Sequence, residues 1–137
     1  MKFNLLPLTL VIAFLTTGVA HAENSSACPY LQGRYACPAT PTQAALRFEL
    51  VQTWKGSEAH YAFHYEGFPD DLAIASPSGV LNAFPGGDTY IFCVDRSLIY
   101  VPKNNEKGSL QQSFLGAHGE YVVKVRGKEV IRCAREP

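Results

Sequence analysis

The ten residues Cys28-Pro29-Tyr30-Leu31-Gln32-Gly33-Arg34-Tyr35-Ala36-Cys37 constrain this chain more than any other stretch. They carry half of its four cysteines and place a glycine two residues before an aromatic, where a first strand can begin. The other two cysteines, Cys93 and Cys133, lie far along the chain, and everything after the opening segment reads as strands that must close against it. No Cys-x-x-Cys pair is present, which argues against a structural zinc site. In an exported chain, four cysteines read as two disulfides.

Export is read from the first 22 residues. Lys2 supplies a positive start, Leu5 to Val19 is an uncharged apolar run, and Ala20-His21-Ala22 offers the small residues that a signal peptidase reads. Cleavage is expected after Ala22, giving a secreted or periplasmic protein. The apolar run is shorter than the roughly 20 residues of a spanning helix, and no second run follows. A lipid anchor is not expected, because Cys28 lies too far behind the apolar run and Ser25 stands where a leucine would precede it.

Removing those 22 of the 137 residues leaves 115, enough for one domain (23–137) with its own core. With Lys2 gone, 11 basic residues face 12 acidic ones, so no global field draws the chain to nucleic acid or anionic lipid. The charge is uneven. Between residues 56 and 102, Glu58, Glu66, Asp70, Asp71, Asp88 and Asp95 face Arg96 alone, whereas residues 103–137 hold seven basic residues against four acidic ones. Such blocks ordinarily form solvated faces.

Period-two alternation dominates the remainder. Ala44, Leu46, Phe48 and Leu50 alternate with Ala45, Arg47, Glu49 and Val51; a helix is the competing reading there, because Ala, Leu, Arg and Glu also favour helix. Tyr61, Phe63 and Tyr65 alternate with His60, Ala62, His64 and Glu66. Further strands are expected at Gly33 to Cys37, Thr89 to Val94, Leu98 to Val101, Leu110 to Leu115, Tyr121 to Val125 and Val130 to Ala134. Gly67 to Gly79 is expected to be irregular around a short apolar piece, Leu72 to Ala75. Eight or nine short strands joined by hairpins predict an all-β antiparallel meander that closes into a small up-and-down barrel, with a β-sandwich as the alternative.

In a nine-strand count, Cys93 and Cys133 fall at the far ends of strands running the same way, which favours Cys93–Cys133 with Cys28–Cys37. If Leu110 to Val125 were one bent strand, the parity would flip, bringing Cys133 to Cys28 and Cys37 to Cys93.

Leu31-Gln32-Gly33-Arg34-Tyr35 resembles the opening of lipocalin-type barrels, with Tyr35 where tryptophan is usual. The resemblance implies that the aromatic plugs one barrel end and that a basic residue near the last strand, Arg132 or Arg135, covers it. The layout Cys-Pro-x-Leu-x-Gly-x-Tyr-x-Cys, with later cysteines mid-chain and near the C-terminus, is similar to a group of small secreted bacterial proteins. That similarity implies location and fold style, and no chemistry.

Phe48, Tyr61, Phe63 and Tyr65 are the candidate ligand-binding residues, lining a pocket inside the barrel; a filled core is the ordinary alternative. His64 and Glu66 lie about 6.6 Å apart along one strand face, and His118 could join them at a metal. His60 is about 13 Å from His64, too far to share that site, and alternation alone explains a polar outer face. No Gly-x-Ser-x-Gly or phosphate-binding glycine loop is present. Asp70 and Asp71 are adjacent and would point to opposite faces of a strand. The expectation is a monomeric, non-enzymatic binding protein without a cofactor, taking a small or apolar ligand. The alternative is a protein-binding module, such as a hydrolase inhibitor, using loops at Gly67 to Gly87 or Lys103 to Gly108.

Overall fold

The computed structural model describes residues 27–104 and 110–137; the expected signal peptide lies outside them. Ten strands follow in order: β1 (Gly33–Cys37), β2 (Leu46–Lys55), β3 (Glu58–Tyr65), β4 (Asp71–Ala75), β5 (Val80–Phe84), β6 (Gly87–Val94), β7 (Ser97–Pro102), β8 (Gln111–Leu115), β9 (Tyr121–Val125) and β10 (Lys128–Glu136). They form one antiparallel sheet in the order β4-β3-β2-β1-β10-β9-β8-β7-β6-β5. The sheet curls into a nearly closed up-and-down barrel. None of the described residues is in a helix, and the alternating stretch from Ala44 to Val51 resolves in favour of strand from Leu46 onward. No helix among them is long and apolar enough to cross a membrane.

Alternation determines what points inward. Phe48, Leu50 and Gln52 of β2 are buried, as are Ala59, Tyr61 and Phe63 of β3, while Arg47, Glu49 and His64 face solvent. Trp54, beyond Gln52 on the same row, is exposed. Turn chemistry sets two of the hairpins. Asp95 and Arg96 both have positive φ (48° and 60°), as do Arg126 and Gly127 (53° and 75°), so each pair forms a two-residue turn whose twist matches its strands.

Three expectations are corrected. The piece Leu72 to Ala75 belongs to a strand, β4, and β5 follows it where no strand was expected, so the count is ten. Pro69, Pro77, Gly79 and Pro85 punctuate this region so densely that each strand between them is only five residues long. The third correction is the disulfide pairing, Cys28–Cys93 and Cys37–Cys133, which is neither of the two arrangements favoured by strand parity. Cys93 and Cys133 do lie on strands running the same way, but β6 and β10 are four strands apart around the wall. The closure of β1 on β10 instead brings Cys37 beside Cys133, with Cα atoms 4.1 Å apart. Cys93, at the end of β6, meets the segment that precedes β1.

The seam lies in the middle of the chain, between β4 and β5. The Asn82 side chain crosses it, accepting from Ile74 N at 2.9 Å and donating to Ile74 O at 2.8 Å. Beyond the end of β4, Ser76 pairs with Phe92 of β6, and Cys93 N donates to Ser76 O at 2.9 Å.

Candidate functional site

The two ends of the barrel differ. The end holding the start of β1 is sealed by residues 27–32, which cross beneath it. Leu31 is wholly buried, and its amide donates to Gln52 Oε1 at 2.8 Å. Gln52 Nε2 donates to Pro29 O at 3.1 Å, and the Tyr61 hydroxyl donates to the same carbonyl at 2.8 Å. Tyr35 donates to Leu31 O at 2.6 Å. Arg135 donates to Gln32 O and lies over the Tyr35 ring, 5.6 Å from its centroid. A Cβ at Gly33 would come within 2.8 Å of that guanidinium, so the glycine makes room for it.

Above this plug, aromatic rings fill the barrel axis. Tyr35 stacks on Phe48 with centroids 5.2 Å apart, and Tyr121 meets Phe48 edge-on at 5.3 Å. Phe63 lies 6.3 Å from Tyr121.

The opposite end is open. It contains two recesses of about 380 and 420 Å³, large enough for a small molecule. Both are lined by Phe63, Tyr65, Gln111 and Tyr121, which stand between them. The first extends toward β4–β7 and adds Asp71, Phe84 and Tyr100; the second extends toward β10 and adds Phe48, Val123 and Ile131. Arg132 reaches the second recess, but its guanidinium is ion-paired with both Glu120 and Glu129. The hydrogen bond from Arg132 holds the Glu129 carboxyl below the usual range.

The phenols of the open end are held neutral. Burial, reinforced by the Asp71 carboxylate, pushes Tyr65 up to about 12. Burial likewise pushes Tyr121 to about 12 and Tyr100 well above the ordinary phenol value, with neighbouring tyrosines adding to both shifts. Ser113 offsets part of both shifts, and its own fully buried Oγ has no hydrogen-bond partner of good geometry among the described residues.

Of the four residues that the sequence singles out for a pocket, Phe48, Phe63 and Tyr65 line the recesses. Tyr61 belongs to the plug at the other end. Tyr100, Tyr121, Gln111 and Asp71 were missed. The inward rows Leu98–Tyr100 and Tyr121–Val123 carried a signal in their alternation, but only strand order brings them opposite β3.

The metal candidates do not converge. His64 Nδ1 pairs with Asp70 Oδ2 at 2.9 Å on the outer surface. Glu66 lines an outer groove beside Arg47, and His118 sits in the exposed β8–β9 turn. No group of three or more His, Cys, Asp or Glu side chains among the described residues is arranged to hold a metal. Asp70 and Asp71 do point apart, Asp70 outward to His64 and Asp71 into the first recess. Neither a family model, nor a curated protein, nor a solved structure matches the chain.

Proposed function

We propose that this is a secreted or periplasmic, non-enzymatic binding protein that takes a small, largely apolar ligand into the open end of its barrel. The observation that carries this reading is the asymmetry of the barrel. One end is closed by a hydrogen-bonded plug, while the other holds two ring-lined recesses large enough for a small molecule. The Gly33-x-Tyr35 pair with Arg135 over the ring adds support, being the arrangement that the lipocalin resemblance implies. The two disulfides suit an oxidising compartment. The inhibitor alternative loses support at one of its two expected loops, because much of Gly67 to Gly87 forms β4 and β5 of the barrel wall; most of the other, Lys103 to Gly108, lies outside the described residues.

Native mass spectrometry of the protein exported by its own host tests the proposal. The expected result is an additional mass that is lost on denaturation, and uptake of the uncharged dye Nile red by the emptied protein. Replacing Ala73, a small inward residue of the first recess, with Phe should reduce that uptake. A bare chain that also takes up no dye would overturn the reading.

A further inference from the structure

The first recess has a chemical bias that the second lacks. Its rings come from Phe63, Tyr65, Phe84, Tyr100 and Tyr121. Ring faces are electron-rich, and they attract cations of low charge density that shed water cheaply. Asp71 is the one ionised side chain among the described residues lining this recess. It shares the inward face of β4 with Ala73 and lies opposite Phe63 in the ladder. Its Oδ1 accepts from Leu72 N at 2.9 Å, leaving Oδ2 without a partner among the described residues.

Among the described residues, nearby charges do not cancel this carboxylate. At the adjoining rim, Lys103 Nζ lies 4.0 Å from Asp88 Oδ2, so its charge is opposed there. Asp70 is turned outward to His64. The tyrosine hydroxyls facing the recess stay un-ionised at neutral pH, so they offer oxygen dipoles without a second full charge. A single carboxylate among rings is a poor site for a hard metal ion, which needs several oxygen ligands. It is equally poor for an anion.

We propose that the first recess selects a small organic cation, a protonated or quaternary amine, held against the ring faces with Asp71 as its counter-charge. This deepens the small-ligand reading above and rests on it.

The test compares choline with its uncharged carbon isostere, 3,3-dimethylbutan-1-ol, by isothermal titration calorimetry on the intact disulfide-bonded protein. Nile red uptake is measured in parallel. The expected result is choline binding at least about tenfold tighter than the isostere, and a comparable loss of choline affinity in Asp71→Asn at unchanged melting temperature. Tyr65→Leu, which removes a ring and leaves the carboxylate, should also weaken choline. Equal affinity for choline and the isostere, or undiminished choline binding in Asp71→Asn, overturns the cation proposal. Dye uptake without choline binding also overturns it and leaves the small-ligand reading standing. Absence of all binding, dye included, removes both.

Discussion

Gln52 occupies an inward position of β2 that its neighbours Phe48 and Leu50 would lead one to fill with an apolar residue. It is polar because two groups of the crossing segment, Leu31 N and Pro29 O, are buried beneath the barrel and need partners. One amide, with a donor and an acceptor on the same head, serves both. Gln52→Ala should strand the Leu31 amide and cost about 2 to 3 kcal/mol, read as a lower urea midpoint with an unchanged slope. Tyr61→Phe should be milder, since Pro29 O keeps its bond from Gln52. The glycine–aromatic motif at Gly33 and Tyr35 was visible in the sequence, whereas the polar partner at Gln52 was not. Its need arises only when residues 28–32 pass under β2.

At the scale of elements, the weak point is the gap between β4 and β5. Every other neighbouring pair of strands is joined by a backbone ladder. Here one side chain, Asn82, does the work of a ladder rung by bonding both polar groups of Ile74. Asn82→Ala should cost about 1 to 3 kcal/mol and accelerate hydrogen exchange at the Ile74 amide, leaving exchange across β1 and β10 unchanged. If the Ile74 amide stays as protected as in the parent protein, the clasp is not what closes the seam. The long strands β2 and β3 were legible because eight or more residues reveal a period. Strands β4 and β5, five residues each between Pro and Gly, were not.

For the whole molecule, the barrel joins the two ends of the described chain. β1 pairs with β10, and Cys37–Cys133 ties the same two strands. The interior is unusually rich in phenols, and burial raises Tyr35, Tyr61, Tyr65, Tyr100 and Tyr121 above the ordinary value of 10.0. The unfolded chain therefore ionises first as pH rises. The stability tied to these neutral phenols is fully present below pH 10 and declines above it as the unfolded state alone loses protons. The expected outcome is a urea midpoint that falls steadily above about pH 10, with phenolate absorbance rising in step with unfolding. Free titration of all seven tyrosines in the folded protein near the ordinary value would contradict it.

The sequence by itself determined the class of fold and most of the strands, because inward and outward residues alternate locally and the turns carry their own chemistry at Asp95-Arg96 and Arg126-Gly127. It also showed the aromatic row of Phe63 and Tyr65. Only the tertiary structure decided which cysteines pair, where the seam falls, and that Asp71, Tyr100 and Tyr121 share one recess with that row. These depend on distances around the barrel wall and across its interior. Those distances follow from the number of strands and their closure, which no local pattern encodes.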